Sequence, residues 1–271
     1  MKLLSVVLLL LPLSICLAEV VNDFTQSCPG FFANPNHVVS PPMGFTGNRF
    51  RRICQTRNNQ AEFATLYDTT FRTPVYSAYR FTGRVNCSRR TGAWFIEPQL
   101  ENGNLGPNMD TESAVGNIVN QAVNADYYNS HFHKGHLAPV SHANSQSCSD
   151  ATFTLTNAAP QNPSFNSGQW RVTESHMADS LENNCINVGL SAFVVTGVVP
   201  GNNIMKNRVQ IPSHFWTAFC CLDNNNQHIR SGAYIGQNIN NVVDGPLTRQ
   251  DLENRLNNLY GRTVTLFGGR C

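Results

Sequence analysis

Nine cysteines lie in this 271-residue chain, and eight of them follow one another from Cys28 to Cys271. Each pair that oxidises fixes two distant segments side by side, so this even set constrains the fold more than any other feature. Whether the thiols oxidise depends on the compartment, and the N-terminus speaks to that. In MKLLSVVLLLLPLSICLA, Lys2 precedes an apolar run from Leu3 to Leu11 broken only by Ser5. Pro12 ends the run, and small or neutral residues lead to Ala18. This is the pattern of a secretory signal peptide over residues 1–18, and the run is short for a membrane span. A secreted, extracellular chain is therefore expected from about Glu19, with Cys16 removed and the remaining eight cysteines allowing four disulfides. Cys220 and Cys221 are adjacent and should bond to different partners. No Cys-x-x-Cys occurs, which argues against a zinc ribbon. Cys87 sits in the middle of the one glycosylation sequon, Asn86-Cys87-Ser88. No later stretch is apolar enough to span a membrane.

Hydrophobic residues make up 41% and charged residues 13%, the balance of a folded chain with a real core rather than a disordered one. Its length suits one large domain or two small ones, and a single domain is expected over 19–271. Net charge is uninformative: Lys2 is the only charge in the leader, so +2 becomes +1. Its distribution says more. Residues 49–90 hold nine arginines against Glu62 and Asp68. Such a cluster suits a phosphate-binding face, because guanidinium donors match phosphate oxygens in pairs. It equally describes an arginine-rich solvated surface.

Hydrophobic periodicity places the elements. Residues 19–60 and 98–110, rich in Pro, Gly and Asn, read as loops. PVYSAYRFTG (74–83), ATFTLTN (151–157) and SAFVVTGVV (191–199) read as strands, followed by short strands near 208–222, 232–236 and 262–267. SAVGNIVNQAVNADYY (113–128) and GQWRVTESHMADSLENN (168–184) read as helices. Thr248 with Asp251 forms a capping box that opens a helix to about Tyr260, ended by Gly261. The sum is one α+β domain with a mixed or antiparallel sheet.

NSHFHKGHLAP (129–139) puts His131, His133 and His136 within six positions. Three imidazoles could ligate zinc, but no carboxylate lies in the stretch. His131 and His133 also fit surface residues. His136 is different, because it lies between Gly135 and Leu-Ala-Pro, where glycine permits unusual backbone and Pro139 stiffens the exit. A neutral imidazole, which titrates near about pH 6.5, can take a proton from water. Downstream, LTNAAPQNPSFNSGQWRVTE supplies Asn157, Gln161, Asn166 and Glu174. Mg²⁺ prefers oxygen ligands and keeps most of its waters, so one amide oxygen at a helix start is a sufficient protein ligand.

HKGHLAP followed by ATFTLTNAAPQNPSFNSGQWRVTE resembles the DNA/RNA non-specific endonuclease family. That family's signature is Asp-Arg-Gly-His, then a strand ending in Asn, then an Asn-x-Gly-x-Trp helix start. The resemblance is closest to its secreted endonuclease domain-containing 1-like branch. It covers roughly residues 55–270 and is strongest over 128–175. It implies a ββα-metal finger within a central mixed or antiparallel sheet flanked by helices. It also implies a Mg²⁺ cofactor, or Mn²⁺, and DNA and RNA as substrates. Carried over residue by residue, it implies His136 as general base, Asn166 as metal ligand, and Asn157 as an active-site amide that orients the histidine or the substrate. Glu174 becomes an acid linked to the metal through water. RRTGAWFIEP resembles the segment that gives an arginine to the scissile phosphate, here Arg90, with Arg89 the alternative. The signature reads His133-Lys134-Gly135-His136, not Asp-Arg-Gly-His. Lys134 keeps a positive charge without bidentate geometry. His133 loses a carboxylate that would organise the loop, and with His131 it becomes a flanking residue. The expected function is Mg²⁺-dependent hydrolysis of phosphodiester bonds. The alternative is a catalytically weakened scaffold that binds nucleic acid or a protein. No Gly-x-Ser-x-Gly is present for a serine hydrolase.

Overall fold

The structure is a computed structural model that describes residues 20–88, 92, 94–239 and 242–271. The expected signal peptide, and with it Cys16, lies outside the described residues, as do Arg89 and Arg90. The strands are β1 (Val20–Val21), β2 (Phe50–Arg57), β3 (Gln60–Asp68), β4 (Thr73–Phe81), β5 (His133–His136), β6 (Ala158–Gln161), β7 (Ser191–Met205), β8 (Val209–Leu222), β9 (His228–Gln237) and β10 (Val243–Leu247). Eight of them form one sheet in the order β1-β2-β3-β4-β7-β8-β9-β10, and each neighbouring pair is antiparallel. Of the two sheet types expected, the antiparallel one is present. The jump from β4 to β7 marks a long excursion, which carries β5 and β6 as a separate antiparallel pair.

Side-chain alternation explains why this sheet needs cover on both faces. On β7 and β8, Phe193, Val195, Trp216, Ala218, Cys220 and Leu222 enter one core. Their neighbours Ala192, Val194, Phe219 and Cys221 enter another. The first face is covered by Phe24 and Phe32 from the N-terminal segment and by Leu252 and Leu256 of the Arg249–Tyr260 helix. The second is covered by Met177, Ala178 and Leu181 of the Arg171–Asn184 helix. Helices thus flank a central sheet.

The same alternation decides the adjacent cysteines. Cys220 bonds Cys271 on one face, and Cys221 bonds Cys185 on the other. Cys28–Cys54 ties the N-terminal segment to β2. Of the expected capping box the N-cap half is present: Thr248 Oγ1 accepts from Asp251 N at 3.1 Å, and Gly261 closes the helix in the left-handed region with φ 64°. No helix among the described residues is long and apolar enough to cross a membrane.

Several element readings change. Residues 113–128 are two single turns, Glu112–Val115 and Asn124–Tyr127, with irregular backbone between. Gly116 takes φ 83° and ends the first turn. ATFTLTN is not a strand. Only Thr154 makes a bridge, to Phe95, before a single 3₁₀ turn at Leu155–Asn157. Its threonines and Asn157 are buried, and Thr156 and Asn157 spend their side chains on tertiary hydrogen bonds instead. Residues 262–267 contribute one bridge, Met43 to Thr265, rather than a strand. The loop 98–110 begins with a helical turn, Pro98–Glu101.

Replacing both Cys185 and Cys221 by alanine unclips the Arg171–Asn184 helix from β8. The chain-entropy model for this 36-residue separation gives a loss of about 3–4 kcal/mol, to be read from urea unfolding.

Candidate active site

β5 is the strand that carries the HKGH signature, and it pairs His133 with Gln161 and His136 with Ala158. Gly135 is required here by close approach, not by unusual backbone. Its φ is not positive, and a Cβ on it would run into the Gln161 side chain. The packing fixes Gln161 beneath the strand, fully buried, with neither amide atom hydrogen-bonded to protein.

His136, half-buried at the end of β5, packs in a three-ring cluster with two aromatic side chains that also touch each other. Its ring centroid is 4.8 Å from that of Trp94 and 5.0 Å from that of Phe153, and the two aromatics are 5.3 Å apart. Backbone bonds from Phe95 N to Phe153 O and from Leu155 N to Phe95 O, both 2.8 Å, hold the clamp's two segments together. Neither aromatic was singled out in the sequence. Trp94 lies far upstream of His136, and only tertiary pairing joins them.

Asn157 locks the chain just after the histidine. Its Oδ1 accepts from Ala138 N and from Ser77 Oγ, both at 2.9 Å. Its Nδ2 donates to Ala138 O and Thr152 O, both at 3.0 Å. Leu137 N also donates to Asn157 O at 2.9 Å. The amide is buried and spends its hydrogen bonds on the backbone after His136 and on β4.

Asn166 is reached through a built turn. Asn162 accepts from Ser164 N and Phe165 N, and Pro163 starts the helical turn. A π-helical stretch, Asn166–Trp170, follows, with Gly168 outside helical geometry, before the regular helix begins at Arg171. Asn166 Nδ2 lies 3.1 Å from His133 Nδ1. An amide nitrogen can only donate, so the imidazole accepts. His133 is therefore not a bystander: it takes the nitrogen end of the Asn166 amide, and Oδ1 makes no hydrogen bond among the described residues.

Glu174 lies two helical turns beyond Asn166. Burial pushes its carboxyl up to about 8, opposed by Trp170 and Arg171 beside it. His142 holds this helix to the sheet: one ring nitrogen is 3.0 Å from Glu174 O and the other 2.7 Å from the Tyr79 hydroxyl. Burial drives His142 down to about 4. Lys134 shares Trp94 with His136, its ammonium 5.1 Å from that ring and 5.7 Å from the Tyr127 ring. The ammonium donates to Asn124 Oδ1 at 2.5 Å, and burial lowers its pKa.

Several of the described arginines of 49–90 are engaged within the protein. Arg49 pairs with Asp68, Arg57 with Asp150, and Arg84 with Asp179 and Glu182. Arg72 caps the carbonyls of Val119 and Arg208.

No three His, Cys, Asp or Glu side chains group as metal ligands among the described residues. A divalent cation here would instead rest on amide oxygens and water. The donor set fits that: Asn166 Oδ1 set by His133, the buried and unbonded Gln161 amide nearby on β6, and an uncharged Glu174 that a cation would ionise.

The family profile described as DNA/RNA non-specific endonuclease matches residues 46–261. The chain belongs to this family. It is 34% identical over 200 residues to the human endonuclease domain-containing 1 protein, and 34% over 201 residues to the mouse protein. Each match covers 72% of this chain but 38% of the relative, so the chain spans well under half the length of these relatives. Human mitochondrial endonuclease G is 37% identical over 148 residues, 47% of this chain and 48% of that protein. The fold matches a chain of the EndoG/EndoGI complex with a TM-score of 0.56 at 19% identity, covering 77% of this chain and 84% of that one. The ββα-metal fold is thereby established.

Two outcomes follow. Asn157→Leu strands the Ala138 and Thr152 backbone groups and should cost at least about 3 kcal/mol in urea unfolding. His142 is neutral in the folded state, so its contribution is intact above about pH 6.5. It is lost as pH falls toward about 4, because the unfolded chain protonates first. The loss should reach about 3 kcal/mol. His142→Gln should flatten this acid limb of the melting-temperature profile. Glu174, with its raised pKa, acts with the opposite sign, losing stability as pH rises from about 4.5 to about 8.

Proposed function

We propose that this chain is a secreted, metal-dependent endonuclease that hydrolyses phosphodiester bonds of DNA and RNA with little sequence preference. One observation carries the reading: within a nuclease-family fold, the signature strand holds His136 in an aromatic clamp while its first residue, His133, orients Asn166. His136 is the general base. Trp94 and Phe153 fix its ring plane, and Asn157 fixes the backbone that follows it. In its neutral form an imidazole nitrogen takes a proton from the attacking water. Asn166 would hold the cation, Mg²⁺ or Mn²⁺, through Oδ1. Gln161 and Glu174 would hold its waters. When bound, the divalent ion supplies charge neutralisation to the phosphate and the leaving oxygen. Arg90 is the proposed phosphate contact. Lys134 adds positive potential from behind Trp94 and, being tied to Asn124, acts on the field rather than by bidentate contact. Contacts mainly to the backbone of the nucleic acid give low sequence specificity. Secretion is supported by the leader pattern and by three disulfides in the fold.

The test is digestion of plasmid and RNA by the mature, oxidised chain with Mg²⁺ and with EDTA. His136→Ala should lower kcat by about 10²- to 10⁴-fold. Full activity in that variant would overturn the assignment. DNA binding that persists in a wild-type chain unable to cleave would make it a binding protein on a nuclease scaffold instead. His133 is tested by metal binding rather than turnover. His133→Leu should weaken Mn²⁺ affinity, read by electron paramagnetic resonance of free Mn²⁺, by about 10- to 100-fold. His133→Asp, which restores an acceptor, should recover it.

A further inference from the structure

Three disulfides use six of the eight cysteines, and Cys87 and Cys148 keep free thiols, each half-buried. The two sit in segments laced together by hydrogen bonds. Ser88 N donates to Gln146 Oε1 at 2.8 Å, and Gln146 Nε2 returns a bond to Ser88 O at 2.9 Å. Val85 N donates to Ala143 O at 3.4 Å. Cys87 directly precedes the bonded Ser88, and Cys148 lies one helical half-turn past Gln146 on the Gln146–Ala151 helix. That helix is seated by its cap Ser145, which accepts from Cys148 N at 3.0 Å.

We propose that Cys87 and Cys148 form a fourth disulfide, which fixes both arms of the His136 aromatic clamp. Cys87 precedes Trp94 by seven residues, and Cys148 precedes Phe153 by five. One bond between them therefore ties together, just upstream, the two segments whose rings pack on the imidazole. The existence of the bond is independent of the nuclease reading; only its catalytic importance rests on it.

The bond forms by exchange with a small-molecule disulfide such as oxidised glutathione. The Cys87 thiolate attacks one sulfur, giving a mixed disulfide and releasing one glutathione thiolate. The Cys148 thiolate then attacks the Cys87 sulfur and releases the second. Two electrons pass to the glutathione disulfide, and the two cysteine protons end on the two glutathiones. Burial, with Glu62 and Cys87 nearby, pushes the Cys148 thiol up to about 12. So basic a thiolate is a slow leaving group, which makes the finished bond a structural tether rather than a redox switch.

The experiment takes the full mature chain as secreted, alkylates it with N-ethylmaleimide without reductant, and maps its peptides by mass spectrometry. A peptide joining Cys87 to Cys148, with neither alkylated, is the expected result. Maleimide on both residues, or either one bonded elsewhere, overturns the proposal. This mapping needs no variant and no activity. The double variant Cys87→Ser, Cys148→Ser should then melt on the order of 10 °C lower. Its His136 should react with diethylpyrocarbonate faster by on the order of threefold, because the clamp opens more often. An unchanged reaction rate at His136 would overturn the link between the bond and the clamp. Neither readout depends on cleavage, so loss of the nuclease reading would remain visible as a separate result.

Discussion

One buried amide joins the histidine strand to the rest of the molecule. Asn157 binds both backbone polar groups of Ala138, the carbonyl of Thr152 and the hydroxyl of Ser77. Ser77 is itself 2.9 Å from Thr65 on the next strand, and Thr156 receives a bond from Gln55 on the strand beyond that. A polar seam therefore runs from the exit of β5 across β4 and β3 to β2, wholly within the protein. Apolar packing is tolerant of direction, whereas a hydrogen-bonded amide is not. That difference matters where a short two-stranded excursion must present one imidazole at a fixed place over a large sheet.

Around that seam the site divides into an apolar and a polar half. Trp94 and Phe153 wall His136, and Lys134 leans on the same tryptophan. At the other end of β5, His133, Asn166 and the buried Gln161 offer amide and imidazole groups. Gly135 lies between the halves and is what lets Gln161 come so close beneath the strand. A base works best where its ring is held and partly shielded, whereas a hydrated cation needs oxygen atoms that are not already spent. A strand of four residues could serve both under the proposed reading, because side chains at odd spacing leave on opposite faces.

Much of this was legible in the sequence because it follows from short periods. The strand pattern of 191–199, the cap at Thr248 and the opposite destinations of Cys220 and Cys221 are all local consequences of alternation or capping. The HKGH strand and the Asn166 turn were visible as motifs. What could not be read were pairings between distant segments: the rings on His136, the His142 bridge from Tyr79 to Glu174, and the role of His133 toward Asn166. The partners of the arginine-rich window were hidden for the same reason. Asp150, Asp179 and Glu182, which neutralise Arg57 and Arg84, lie outside it in sequence and beside it in space. The stretch 113–128 carried helical spacing, but a glycine at positive φ broke it.

The departures from Asp-Arg-Gly-His are best understood by hydrogen-bond role rather than by charge. A carboxylate at position 133 would be an acceptor only. A neutral imidazole whose Nδ1 is unprotonated is also an acceptor at that atom, and in this fold it is used as one, against an amide nitrogen that has no other role to take. The exchange removes a negative charge beside the proposed metal ligand but keeps a partner for the Asn166 amide. At position 134, lysine for arginine loses the planar fork, and the ammonium is drawn to Asn124, which in turn binds Glu112. The first substitution preserves what its neighbour needs, while the second redirects its charge away from bidentate contact. Under the proposed nuclease reading, a lysine so tied cannot replace the arginine fork, so the phosphate contact proposed for Arg90 carries the bidentate role that position 134 has lost.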